Sequence, residues 1–238
     1  MQSALLYVAI KQNGNWEKIY HALEEHTKIP RVNLIKLENK IKCDYLTITN
    51  NNYPVHLKRI YKPPFVIFGV GEFSNLDQPL ITIVGRVEKF NIEFLDALND
   101  FGYGFVYQVN ENTYKSAKKM TDLGYRTVFV VEQGITSDYK GLYGTNTLVI
   151  SETYTKPKEE YDDQKLNRIT LGSENKVLFI DYDECEQYQN DLALCHRERN
   201  HLYKIIYKYD QSIVSVWTKH HAELIWNIGQ FKAIFSGV

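Results

Sequence analysis

The sequence predicts an α/β protein with a mostly parallel sheet and a small N-terminal α/β appendage. Three observations lead there. Continuous apolar runs such as FVIFGVG (Phe65–Gly71) and LITIV (Leu80–Val84) have the pattern of strands buried on both faces. Between such runs lie segments of about ten residues with apolar positions at helical spacing, as right-handed βαβ crossovers require. The length of 238 residues, at 44% hydrophobic and 24% charged, suits one sizeable domain with an appendage and argues against disorder.

Taken in order, Ala4–Ile10 and Trp16–Glu25 read as short helices, the second with Trp16, Ile19, Tyr20 and Leu23 along one face. Pro30 closes that segment. Val32–Ile35 and Tyr45–Thr49 read as short strands, and Asn50-Asn51-Asn52 as a polar turn. These elements make residues 1–50 the appendage, and 51–238 the main domain.

In the main domain, strands are expected at Phe65–Gly71, Leu80–Val84, Gly104–Tyr107, Arg126–Val131, Thr147–Ser151, Lys176–Ile180 and Ile213–Trp217. Helices are expected at Asn91–Phe101, where Ile92, Leu95, Leu98 and Phe101 share a face, and at Thr113–Leu123, Leu166–Leu171, Asp191–His201 and Ala222–Ile228. The stretch KPKEEYDDQ reads as a charged loop.

With 28 basic against 29 acidic residues the formal net charge is −1, which excludes a strongly cationic nucleic-acid sponge but leaves room for a local basic groove. The three cysteines, Cys43, Cys185 and Cys195, form no CxxC pair; they fit a reducing cytoplasm and supply no zinc framework. The start MQSALLYVAIKQNGNW has no basic leader and no small-residue cleavage site, so mature structure is expected there. No apolar run approaches the ~18 residues of a membrane span. There is no P-loop, and Gly69-Val70-Gly71 lacks the third glycine of a dinucleotide fingerprint, so no cofactor is expected. His220-His221, and His196 with His201 near Cys195, do not have ligand spacing, so no metal is expected.

Six segments in order then resemble one family. Tyr53-Pro54 through Phe68 is similar to a YPxxLxxIxxPPxxLF stretch. Ile81–Arg86 (ITIVGR) is similar to a strand and glycine of the form IVGSR. Gly124–Val131, with Gly134 beyond it, matches a GxTxxVx strand. Ile150-Ser151-Glu152-Thr153-Tyr154 is similar to ISE(F/Y)P, and Asn167–Ser173 to the helix start RNRIIAGLS, followed by the strand Val177–Asp181. Glu223–Gly229 is weakly similar to GxNxLIxxGA. These motifs belong to the DNA-processing proteins DprA, also called Smf, and the resemblance covers about residues 53–235. It implies an extended Rossmann-like fold and a non-enzymatic, cytoplasmic homodimer that binds single-stranded DNA. Such proteins protect incoming DNA and help load RecA during DNA uptake, transformation and recombination.

The chain also departs from the pattern. Arg86 follows Gly85 directly, the SGxAxGID loop is replaced by Tyr107–Thr113, Leu166 stands where the first Arg of RNR would be, and the glycine-rich stretch after Ile180 is the acidic Asp181–Glu186. A divergent member without the winged-helix domain is the expectation.

Candidate site residues follow from strand ends. Gly85, Arg86 and Lys89 precede a helix, where backbone amides and a guanidinium fork can take a phosphate; the bland alternative is a tight turn with a solvated Arg. Asn167 and Arg168, with Gly172 and Ser173, form a second candidate, against which stand a helix cap and a surface Arg. Lys115, Lys118 and Lys119, at helical spacing, would track a single strand or merely solvate a face. Tyr107, ending a strand, is a candidate for base stacking or for the core. A competing function is a nucleotide or nucleoside-phosphate site in the same crevice, with Glu152 or Glu132 facing the Gly85 turn. A third is a degenerate paralogue serving as an interaction scaffold.

Overall fold

In the computed structural model, residues 2–26, 28–136, 138–156, 163–181 and 188–236 are described; for 163–167 the backbone alone is. The charged segment 157–162 and the acidic run 182–187 lie outside these residues, as do Ser137, Thr27 and both chain ends.

Helices α1 (Gln2–Lys11), α2 (Trp16–Glu24) and α3 (Arg31–Glu38) lead into strand β1 (Asp44–Thr47). There follow α4 (Val55–Arg59), β2 (Val66–Gly71), β3 (Leu80–Val84), α5 (Ile92–Asp100), β4 (Gly104–Val109), α6 (Tyr114–Asp122), β5 (Thr127–Val131) and β6 (Thr147–Ser151). The chain ends with α7 (Asp163–Gly172), β7 (Lys176–Phe179), α8 (Gln189–Glu198), β8 (His201–Ile205), α9 (Gln211–Lys219), β9 (Glu223–Ile225) and α10 (Ile228–Phe235).

Among the described residues nine strands form one sheet in the order β1-β2-β6-β5-β4-β3-β7-β8-β9. The seven strands from β6 to β9 in that order are parallel, and β2 alone runs against them, antiparallel to both of its neighbours, β6 and β1. The expected mostly parallel α/β architecture is thus observed. From β3 the chain adds β4, β5 and β6 on one side, then returns to place β7, β8 and β9 on the other. Strand order therefore reverses between β3 and β7, where Ile83 pairs with Leu178. That is the position at which a doubly wound sheet opens a crevice at its carboxyl edge.

Alternate strand residues go to opposite layers, as the pleat dictates. Phe105, Tyr107, Phe129, Val131 and Val149 join the cluster containing Leu5 and Leu6 of α1, Leu95 of α5 and Phe231 of α10. Val106, Val128, Val130 and Ile150 face Leu57 of α4 and Ile169 of α7. Val177 and Phe179 face Leu192 of α8 and Trp217 of α9. Position 50, the expected boundary, lies between β1 and β2, which pair directly. No helix among the described residues is long and apolar enough to cross a membrane.

Four local expectations are corrected. Val32–Ile35 is helical: a short apolar run carries no period of its own, and Pro30 opens the helix as its N-cap rather than ending the segment. Ile213–Trp217 is also helical, because Asp210 caps it, its carboxylate accepting from the Ser212 amide at 2.8 Å. The helix expected to reach His201 stops at Glu198, where Arg199 turns left-handed (φ 61°), and His201 opens β8. Ala222–Ile228 holds β9, with the helix starting only at Ile228.

Glu174, in the turn before β7, is half-buried, and burial pushes its carboxyl up from 4.5 to about 7, with Lys176 opposing the shift. The folded chain therefore holds this proton more tightly than the unfolded chain. The resulting stability is full below the unfolded value and is lost as pH rises through about 7. A calorimetric pH series checks this: Glu174→Gln should leave Tm unchanged near about pH 4 and raise it above wild type at about pH 8.

Candidate nucleic-acid interface

The crevice at the strand-order reversal is a cleft of about 560 Å³ lined by Gly85 and Arg86 after β3, Tyr107 and Asn110 at the end of β4, Thr170 of α7 and Asp181 after β7. Asp191 and Tyr188, at the start of α8, complete one wall.

Gly85 is required by geometry. Its φ is +112°, and a Cβ there would lie 2.8 Å from the Asp181 Cβ and 2.9 Å from the Asp181 nitrogen. The turn that follows is held from several sides. The Tyr107 hydroxyl donates to the Gly85 carbonyl at 2.8 Å, and the Val87 amide to the Ser116 hydroxyl at 2.9 Å. Buried Asn91 accepts from the Glu88 amide at 3.0 Å and donates to the Arg86 carbonyl at 2.9 Å and the Ile180 carbonyl at 3.3 Å. Arg86 therefore projects from a fixed backbone.

Asp181 faces that turn. Its Oδ2 accepts from the Arg86 amide at 3.2 Å and from Arg86 Nε at 3.3 Å; the Arg86 side chain is 54% exposed and the Asp181 side chain 7%. An internal carboxylate thus occupies the spot that a strand-to-helix turn offers an external anion. Beneath it, Lys204 is buried, with its ammonium donating to the Asp181 carbonyl and lying 5.3 Å from the Trp217 ring centre. Of the described residues lining the cleft, Arg86 is the one cation, and Asp181 and Asp191 are the acids.

The other candidates fall in different places. Arg168 is 4% exposed and meets Glu152 in a two-pronged pair, Nη2–Oε2 at 2.5 Å and Nη1–Oε1 at 3.3 Å, while its Nε donates to the Lys62 carbonyl at 3.0 Å. This corrects its expected role: the guanidinium is enclosed and cannot reach a phosphate. The same pair removes Glu152 from the Gly85 turn, and Glu132 does not line the cleft. Gly172 is a packing residue, since a Cβ there would meet Ile60 Cγ2 at 2.5 Å, and the buried Ser173 hydroxyl, just past the end of α7, donates back to the Ile169 carbonyl of that helix. Asn167 lies on α7 with its side chain outside the described residues.

Tyr107 is 1% exposed, its hydroxyl engaged by Gly85 and its pKa raised by burial. No ring face is open to a base, so stacking on Tyr107 is ruled out and its part is to hold the turn. Lys115 is exposed, and Lys118 pairs with Asp122 at 3.0 Å across one helical turn. Neither lysine lines the cleft; nor does Lys89, exposed on the short helical turn Lys89–Asn91. Among the described residues no three metal-ligating side chains converge.

Sequence reasoning missed Asp181 as a site residue, and Asn110 and Thr113 with it. Asp181 follows a buried strand, but nothing local in the sequence shows that this strand lies beside β3, opposite Gly85. Asn110 and Thr113 cap each other, the Thr113 amide donating to Asn110 Oδ1 at 3.1 Å and the Asn110 amide to the Thr113 hydroxyl at 2.9 Å.

Comparison with known proteins bears out the resemblance to DprA/Smf. The family model described as DNA recombination-mediator protein A matches residues 44–92, which run from β1 through the Gly85 turn. The fold is that of the X-ray structure of DNA processing protein A from Streptococcus pneumoniae, with a TM-score of 0.64 at 19% identity over 91% of this chain and 80% of that one. DNA processing protein A from Helicobacter pylori, whose structure addresses its single-stranded DNA binding mode, aligns with a TM-score of 0.61 at 17% identity over 81% of this chain and 95% of that one. No curated protein matches the chain significantly by sequence.

Proposed function

We propose that this chain binds single-stranded DNA at the cleft between β3 and β7, without catalysing a reaction. The observation that carries the reading is Arg86, displayed on a rigid glycine turn at the carboxyl edge of a DprA-type sheet. Its guanidinium engages a phosphate, the cleft takes the adjoining nucleotide, and Asn110 and Thr113 offer polar contacts to sugar or base. Asp181 sets the strength of this grip, because incoming phosphate competes with its carboxylate for Arg86. The remaining roles come from the family reading: protection of incoming DNA, RecA loading in transformation and recombination, homodimer formation and a cytoplasmic location.

Two substitutions test this with opposite signs. Arg86→Ala should weaken binding to a fluorescent oligo-dT strand about five- to tenfold, the size of a lost charge-assisted contact. Asp181→Asn keeps the shape, releases Arg86 from its internal anion and should tighten binding severalfold. Two folded variants that both bind as wild type does would sink the proposal.

One observation favours a second reading. A carboxylate inside a cleft of about 560 Å³ suits the hydroxyls of a single ribose, so a mononucleotide site is the alternative. It requires that a free nucleoside monophosphate compete with oligo-dT at equal molar concentration, whereas strand capture requires competition to grow with oligonucleotide length.

A further inference from the structure

The carboxyl edge of the sheet continues beyond the cleft. β8 and β9 are parallel, with the Ile206 amide donating to the Ile225 carbonyl at 2.8 Å, so the residues just after them emerge side by side on the same edge as Arg86 and Asp181. There stand Tyr209 and Trp226, 68% and 42% exposed, with ring centres 6.1 Å apart and planes within 22° of parallel. Tyr209 is the most exposed large apolar side chain among the described residues. Scattered surface aromatics need no explanation, but two near-parallel rings on adjacent strand ends are a different matter.

The cleft adjoins a second recess whose lining includes the residues on either side of Tyr209. This smaller recess of about 170 Å³, lined by Tyr207, Lys208 and Asp210, shares Asp181 as a wall with the main cleft. Tyr207 is braced there, its hydroxyl donating to the Ile180 carbonyl at 3.0 Å and its ring edge-on to Phe90 at 4.8 Å. Lys208 is exposed beside it, and the acid of the stretch, Asp210, is engaged by the Ser212 and Ile213 amides of α9. The edge thus presents a cation at Arg86, another at Lys208 and an aromatic pair beyond. A single-stranded nucleic acid matches that order, with phosphates toward the cations and a base against a ring.

We propose that Tyr209 and Trp226 form a base-stacking platform that extends the strand's path from the Gly85–Asp181 cleft across β7 and β8. The platform rests on the single-strand reading of the cleft and deepens it. Stacking suits the pair because every base offers a π-face, so the grip needs no particular sequence.

The test uses the intact chain with oligo-dT, an abasic strand of equal length, and tryptophan emission. Trp217 is fully buried and Trp16 is stacked between Tyr20 and Phe65, which leaves Trp226 as the exposed reporter. Oligo-dT should quench the emission of wild type, the abasic strand should not, and Trp226→Phe should lose the quenching while keeping affinity. Tyr209→Ala/Trp226→Ala should raise the Kd for oligo-dT about tenfold or more and leave the Kd for the abasic strand unchanged. The platform is overturned if wild type binds oligo-dT in an Arg86-dependent way but shows no quenching and the double variant, folded by circular dichroism, binds as tightly. If wild type binds neither strand, the cleft reading falls and the platform with it.

Discussion

Glu152→Ala should lower the free energy of unfolding by about 3–5 kcal/mol, the cost of removing one partner from a buried ion pair. The carboxylate is 5% exposed and faces the Arg168 guanidinium with both oxygens. Its loss leaves the buried Arg168 cation with the Lys62 carbonyl but without its counter-charge. The pair also couples three parts of the chain: the end of β6, the crossover helix α7 and the segment after α4. Urea unfolding of the single variant should show a lower midpoint at unchanged slope. Glu152→Leu/Arg168→Met removes both charges together and should lie within about 2 kcal/mol of wild type, because the burial cost disappears with the pair. A double variant as unstable as the single would mean that shape rather than charge sets the loss.

Gly85→Ala is the second large effect, and it strikes stability and binding together. At φ +112° an alanine is strained by about 1–3 kcal/mol. Its Cβ would also press on backbone and Cβ of Asp181, displacing the wall that faces Arg86. Gly102→Ala is the control, since Gly102 has φ +83° but nothing within 4 Å of a built Cβ. The control should cost strain alone and leave oligo-dT affinity untouched, while Gly85→Ala should lose stability and at least about tenfold in affinity. Equal binding by both variants would separate the Gly85 turn from the ligand.

How much of this was legible in the sequence depended on periodicity. LITIV and TLVIS declared themselves as β3 and β6 with their observed bounds, since strands buried on both faces are apolar throughout. The mixed runs IVSVW and RVNLI did not, because a short run of branched residues fits strand or helix until its cap is read, and the caps were Asp210 and Pro30. At the site, Gly85 and Arg86 were legible from their place after a strand. Arg168 was not: nothing local in Asn167-Arg168 distinguishes a guanidinium aimed outward from one folded against Glu152, which is 16 residues away. Asp181 was hidden likewise, because its meaning arises only when β7 is laid beside β3, a pairing across 95 residues that no motif spacing records.

A salt titration of wild-type binding to labelled oligo-dT, repeated with excess double-stranded competitor, tests the proposed phosphate grip of the β3–β7 cleft on a single DNA strand. Binding is expected at low salt, resisting the duplex and weakening linearly in log–log form, with a slope of about −0.7 for each phosphate contacted. Folded protein that binds no single strand at low salt, or that yields it fully to duplex, would rule the grip out.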